Sequence, residues 1–240
     1  MISKIKALIK ENRNNHLVNS MLLKDLEWAN IYRDSIRGKE WLEKLPLNVG
    51  RAAVNYNFFY VLNRILNDYK PNRILEFGLG ESSKFISTYI LNEKFCKEHI
   101  IVEQNSEWKD SFSQRWELSD KSDILVFPVC EKRINNNISV GYKDLKIKDI
   151  EKFDLYVIDG PLGSKHYSRY DIVEIAENFN NKAEFIIVID DSHRDGEQES
   201  IEILLDKLKN KGILFNKGIY SGSKSLMIIA TEKYKFSCTL

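Results

Sequence analysis

Ile74-Leu75-Glu76-Phe77-Gly78-Leu79-Gly80-Glu81-Ser82-Ser83 is the stretch that decides the fold. An apolar run stops at two glycines, and a polar pair that can open a helix follows. Gly78 and Gly80 let the backbone turn tightly and approach a ligand closely. Ser82 or Ser83 can cap the helix that comes next. The stretch reads as a strand passing into a helix. Towards the C-terminus the same alternation repeats. Strands are expected over 73–77, 99–102, 124–128, 155–158, 185–189, 212–220 and 226–231, and helices over 82–91, 107–118, 170–178 and 197–209. Strands that alternate with helices predict a mostly parallel sheet covered on both faces. The last two strands are joined by Ser221-Gly222-Ser223-Lys224, which predicts an antiparallel hairpin at the end of the sheet.

Towards the N-terminus the character changes. Residues 1–70 read as helical, with breaks at Gly38 and at Leu45-Pro46-Leu47-Asn48-Val49-Gly50. A strong helix is expected over 51–69, with Val54, Phe58, Val61, Leu62, Ile65 and Leu66 on one side, ended by Pro71. The expected organisation is therefore an N-terminal helical extension or lid, 1–70, and a sheet domain, 71–240. The first residues alternate Ile2, Ile5, Leu8 and Ile9 with Lys4, Lys6 and Lys10. One reading of that pattern is weak contact with a membrane surface. The other is a helix packed on the domain or on a partner chain, with a homodimer among the options.

The 240 residues suffice for one α/β domain with an extension. With 36 basic and 35 acidic residues the net charge is +1, which argues against general nucleic-acid affinity. No apolar run is long enough for a membrane span, and no cleavage site follows the start. Cys96, Cys130 and Cys238 form no CxxC and no Cys/His cluster, so they read as thiols of a reducing compartment, with the cytoplasm expected.

The chemistry-bearing residues cluster at strand ends. The third glycine of a dinucleotide fingerprint is missing, and Glu81-Ser82-Ser83 stands in its place. Glu76 directly precedes the turn, where a carboxylate repels a pyrophosphate and attracts an ammonium. Ile100-Ile101-Val102-Glu103 ends the second strand in an acid that can accept hydrogen bonds from ribose hydroxyls. Trp108, a few residues on, reads either as an adenine contact or as a core residue of its helix. Together these residues resemble motif I and the ribose acid of class I, Rossmann-like S-adenosylmethionine (SAM) methyltransferases. That resemblance implies a Rossmann-like seven-stranded sheet. It implies SAM as cofactor, bound by Glu76, Gly78, Gly80, Ser82, Ser83, Glu103, Trp108 and Asp159. An NAD-dependent enzyme or an aminopropyl transferase is a further reading, disfavoured by the missing glycine and by the lack of an acidic polyamine site.

Phe153-Asp154-Leu155-Tyr156-Val157-Ile158-Asp159-Gly160-Pro161 ends one strand in an acid, and Ile189-Asp190-Asp191-Ser192-His193 ends the next in two. In a doubly wound sheet Asp159, Asp190 and Asp191 can converge. Converging carboxylates repel one another. One reading is a divalent cation, Mg²⁺ or Mn²⁺ by the hardness of the oxygens, held by Asp159, Asp190 and Asp191. The other is that Asp159 caps a turn, Asp190 closes a strand and Asp191 caps the last helix. The acid set resembles metal-dependent O-methyltransferases, the sugar-modifying kind more than the catechol kind. Asp159-Gly160-Pro161 and Asp190-Asp191 followed by Arg194-x-Gly196-Glu197 also resemble methyltransferase-like proteins of polysaccharide biosynthesis. General-base candidates are His193 and His166, with Asp159 as a catalytic acid of motif IV. The loop Gly163-Ser164-Lys165-His166-Tyr167-Ser168-Arg169-Tyr170 is read as acceptor-pocket lining, with Lys165 or Arg169 facing an anionic group, and Arg51 and Tyr56-Asn57 as a lid. The expected function is O-methylation of a sugar, nucleotide sugar or similar small hydroxylated molecule. The alternative is a non-catalytic methyltransferase-like binding module in a glycan-assembly complex.

Overall fold

The structure, a computed structural model, describes residues 2–50 and 53–240. Strands β1 (Arg73–Phe77), β2 (Glu98–Glu103) and β3 (Ser122–Val126) pair in parallel. Strands β4 (Val129–Ile134) and β5 (Asn137–Tyr142) form a separate antiparallel ribbon. Strands β6 (Leu155–Ile158), β7 (Ile186–Ile189), β8 (Phe215–Ser221) and β9 (Ser225–Thr231) complete the main sheet, in the order β3-β2-β1-β6-β7-β9-β8. Only β9 runs against its neighbours β7 and β8. This is the Rossmann-like, mostly parallel seven-stranded α/β sheet with a terminal antiparallel hairpin that the sequence predicts. The chain walks from β1 out to β3 and then returns to β6 on the other side of β1. A crevice opens above the strand ends at such a reversal, and ligands bind there.

The central strands are apolar along their whole length because both faces are covered. Every residue of β6 and β7 is buried. Alternate residues point to opposite faces. On one face Ile74, Leu155, Val157 and Val188 pack beneath the N-terminal helices α1 (Ile2–Ser35), α2 (Glu40–Glu43) and α3 (Tyr56–Tyr69) and beneath α4 (Glu81–Glu93). Phe112 of α5 (Ser106–Arg115) packs with Leu79, Ile101 and Ile124 near the β3 edge. On the other face Phe77, Tyr156, Ile158 and Ile187 meet Ile172 and Val173 of α6 (Asp171–Ala176) and Ile201 and Leu204 of α7 (Asp195–Asn210). α7 carries Asp195 and Glu197 in its first turn and Lys207 and Lys209 in its last, as the helix dipole favours.

Only the last third of α1 touches the body. Tyr32 and Ile36 enter the core shared with the sheet. Trp28 Nε1 donates to Ser221 O at 2.9 Å, and Ser223 N donates to Asp25 Oδ1 at 2.8 Å. These bonds hold the tip of the β8–β9 hairpin.

The ribbon β4–β5 corrects the sequence reading, which ended the third strand at 128 and expected no strand before 155. Asn135 and Asn136 have φ of 46° and 66°, the two left-handed positions that a tight hairpin turn requires. The ribbon braces the loop after β6: Val140 N donates to Ser164 Oγ at 2.8 Å, and Ser139 Oγ donates to Tyr167 O at 2.6 Å.

Candidate active site

Two glycines pass back to back where β1 and β6 end. Gly78 has φ of +98°, and a Cβ there would lie 3.1 Å from the backbone of Asp159. A Cβ on Gly160 would lie 2.8 Å from Gly78 N. Neither position has room for a side chain, which explains the glycine that follows Asp159. Gly80 differs: its Cβ would meet nothing within 4 Å. Gly80 faces a cavity of about 660 Å³ lined by the turn 78–82, by Glu103–Asn105, by 159–163 and by Asp191. The size suits a cofactor or drug-sized ligand.

Glu103 closes the floor on the β2 side. Its Oε2 accepts from Leu79 N at 3.0 Å, and its Oε1 accepts from Gln104 N at 2.8 Å and Asn105 N at 2.9 Å. Three backbone donors hold the carboxylate in place, and the residue is 7% exposed at the cavity wall. Trp108 lines the same cavity; its Nε1 donates to Leu79 O at 2.8 Å while its ring stays 40% exposed.

Glu76 takes a different place from the expected one. It is fully buried on the α4 face, where it accepts from Ser82 Oγ and pairs with His99 Nε2 at 3.0 Å. The period of two along β1 sends it away from the cavity, so it braces the turn and does not meet a ligand directly. Ser83 is also buried, and its Oγ accepts from Gly80 N at 3.1 Å as part of the helix start. Ser82 lines the cavity, with its hydroxyl committed to Glu76.

Asp159, Asp190 and Asp191 do converge: each offers an oxygen within 4.8 Å of the others. Arg169 joins them. Its Nη2 donates to Asp159 Oδ1 at 3.1 Å and to Asp191 Oδ2 at 3.0 Å. Its Nη1 donates to Ile158 O at 3.3 Å and Asp190 O at 2.7 Å. Arg169 and Asp191 both sit in the left-handed region, with φ of 57° and 54°, a costly conformation held by the surrounding structure. The clamp is visible. Ser168 N donates to Gly196 O at 2.9 Å, and Ser168 Oγ donates to the buried Glu197 at 3.0 Å. A Cβ on Gly196 would lie 2.5 Å from Ser164 O. The Arg194-x-Gly196-Glu197 run thus seats the loop that delivers Arg169, and Arg194 Nη1 adds a contact to Asp191 Oδ2 at 2.9 Å.

Burial pushes the Asp159 carboxyl up to about 8; Arg169 pulls it back, and the charges of Asp190 and Asp191 push it further. Asp190 is raised as well, first by burial and then by Asp191. Asp190 Oδ2 and Asp191 Oδ1 are buried and accept no hydrogen bond from the described residues.

Several expected residues lie elsewhere. His193 is exposed, outside the cavity lining, with Nδ1 accepting from Ser225 N at 3.3 Å. His166 pairs with Glu199 Oε1 at 2.9 Å, also outside the lining. Neither imidazole lines the cavity beside the acid cluster: His166 turns to Glu199 and His193 to Ser225. Lys165 is exposed and outside the lining too. Arg169 is 4% exposed and spent on internal partners, so it does not wait for a substrate anion. The Tyr56-Asn57 lid gives way to structure: Asn57 is buried and donates to Tyr220 O and Lys224 O, both at 3.1 Å. Arg51 lies outside the described residues. Asp191 does not cap α7, whose N-cap is Arg194 without a side-chain bond. The sequence reading missed two cations of the cavity, Arg194 and Lys224. Lys224 sits at the hairpin tip and donates to Ala53 O at 2.9 Å. It read only as a turn residue, because α1 and the β7–β9 pairing bring that tip to the cavity.

No protein-family model matches the sequence, and no curated protein matches it. Among solved structures, the chain is similar to the SAH-bound methyltransferase PaMTH1 of Podospora anserina at 14% identity and a TM-score of 0.48, over 85% of this chain and 87% of that one. It is also similar to the N-methyltransferase NodS of Bradyrhizobium japonicum WM9 at 12% identity and a TM-score of 0.42, over 72% of this chain and 84% of that one. A third, TrmK of M. capricolum, has 15% identity and a TM-score of 0.38, over 67% of this chain and 62% of that one. At these scores the similarities carry nothing about activity, which rests on the site itself.

Proposed function

We propose that the chain is a SAM-dependent methyltransferase acting on a hydroxyl of a small polar, sugar-like acceptor. The observation that carries this reading is the joint placement of Gly80 and Glu103 in one cavity at the strand reversal. The open Cβ position of Gly80 leaves room for a ligand to lie on the backbone, and the tethered Glu103 carboxylate suits ribose hydroxyls. Trp108 offers its exposed ring to the adenine. Bound SAM supplies an electrophilic methyl group on a sulfonium.

The acceptor end is the Asp159–Asp191 side. Asp159 is the acid that both lines the cavity and has a raised pKa, so it is the base of this reading. In its ionised form, which the pKa of about 8 favours at alkaline pH, it takes the hydroxyl proton as the acceptor oxygen bonds to the methyl carbon and the sulfur–carbon bond breaks. Asp191 lines the same cavity, with its Oδ2 held by Arg169 and Arg194.

The acid cluster does not suit a divalent cation. Arg169 already bridges Asp159 and Asp191, and a second cation between them would face the guanidinium at short range. In this reading Arg169 neutralises the cluster and no metal takes part. Calorimetric titration with S-adenosylhomocysteine, once with Mg²⁺ and once with EDTA, tests both points. The expected result is micromolar binding that EDTA leaves unchanged. Absence of binding under both conditions removes the methyltransferase reading and leaves the non-catalytic module. Binding that needs Mg²⁺ removes the metal-free cluster alone.

A further inference from the structure

Residues 4–24 of α1 are exposed, apart from the body, although they carry Ile5, Leu8, Ile9, Leu17, Val18, Met21, Leu22 and Leu23. Most helical stability in proteins comes from packing an apolar face, and this stretch packs on nothing among the described residues of the single chain. Helix α1 has 34 residues and so runs about 50 Å at roughly 1.5 Å per residue. Its face opposite Trp28, Tyr32 and Ile36 carries Ile5, Ile9, Asn12, His16, Asn19, Leu23 and Leu26. Their spacing alternates four and three without a slip, which is the seam of a two-stranded coiled coil. The four apolar seam residues are 53–66% exposed.

We infer that this seam pairs with the same seam of a second copy, in antiparallel orientation. The charges select the orientation. Lys4, Lys6, Lys10 and Arg13 outnumber Glu11 in the N-terminal half, whereas in the other half Asp25, Glu27 and Asp34 outnumber Lys24 and Arg33. Parallel pairing sets the basic halves side by side. Antiparallel pairing sets each basic half against the half that holds the acids. It also brings the polar middle of one seam onto the polar middle of the other, and apolar ends onto apolar ends. Lys6 and Glu27 occupy equivalent flanking positions three heptads apart, and antiparallel pairing places such positions opposite each other. Polar residues in the seam fix its register at some cost in stability. The two bodies then lie at opposite ends of the pair and do not collide.

Sedimentation of the full chain reads this directly. The wild type is expected as a dimer of two 28.1 kDa chains at tens of micromolar. The Ile9→Glu/Leu23→Glu variant is expected as a monomer that stays folded, since both residues are exposed in the single chain. Lys6→Glu raises the dimer dissociation constant at least about tenfold, and adding Glu27→Lys restores it. A dimer that survives Ile9→Glu/Leu23→Glu, or a double charge reversal that restores nothing, overturns the inference. So does a monomeric wild type, including one that binds phosphatidylserine vesicles through the same stripe.

Discussion

Gly80→Val is expected to weaken S-adenosylhomocysteine binding at least about a hundredfold, or roughly 2.7 kcal/mol, while the thermal midpoint stays where it was. The backbone at Gly80 has φ of −168° and ψ of −147°, outside the left-handed region that glycine alone enters readily. Nothing among the described residues lies within 4 Å of the new Cβ. The methyl groups instead occupy the cavity, where the proposed cofactor lies against the 78–80 backbone. Gly78→Ala is the contrast. Its φ of +98° and a Cβ 3.1 Å from the Asp159 backbone make it a folding defect, worth about 1–3 kcal/mol in stability. Two glycines of one motif should therefore separate cleanly: one loses ligand and keeps its stability, the other loses stability. Unchanged affinity in a folded Gly80→Val protein would falsify the placement of the cofactor on this turn.

The sequence showed this sheet well because local signals and tertiary demands agree along it. Apolar runs at 73–77 and 155–158 became β1 and β6 without a shift of boundary. The ribbon β4–β5 was harder, since no residue of β4 is buried and Cys130, Lys132 and Arg133 have no strong strand preference. Asn135-Asn136 was the available signal, a turn pair flanked by alternating residues. In the site, strand-end residues were legible because position along the strand fixes them. Glu103, Asp159 and Asp191 reached the cavity for that reason. Glu76 shows the limit: being next to the turn does not decide the face, and the two-residue period sent its carboxylate to the α4 side. The histidines show another limit. His166 and His193 sit in loops whose course depends on Gly196, Glu197 and the ribbon, contacts between segments distant in sequence. Arg169 was read as a substrate contact because its burial follows from those same contacts.

Arg169→Met should be the most damaging side-chain truncation in the site. The guanidinium is 4% exposed and is surrounded by Asp159, Asp191 and Glu197, the last with Oε1 3.7 Å from Nε. Removing one partner from a buried ion pair costs about 3–5 kcal/mol, because the charges left behind have lost both water and counter-ion. For a chain of this size that lowers the midpoint by roughly 10 °C. The loss depends on pH in a defined direction. The unfolded Asp159 titrates near 3.8, whereas the folded one holds its proton up to about 8. The folded state therefore binds more protons across that window, and stability falls as pH rises from about 4 towards 8. Arg169 opposes this fall by stabilising the ionised acids, so its removal costs most at pH 8 and much less at pH 5. Arg169→Lys keeps a charge but not the planar fork that spans Ile158 O, Asp190 O, Asp159 and Asp191, and it should recover only part of the loss. The same variants separate the two readings of the acid cluster. If the guanidinium stands where a cation is needed, Mn²⁺ should raise the midpoint of Arg169→Met at pH 8 and leave the wild type unmoved. A wild type that Mn²⁺ stabilises and EDTA destabilises would return the cluster to a metal. A folded Arg169→Met protein indifferent to both pH and Mn²⁺ would show that the carboxylates do not depend on Arg169 for their charge balance.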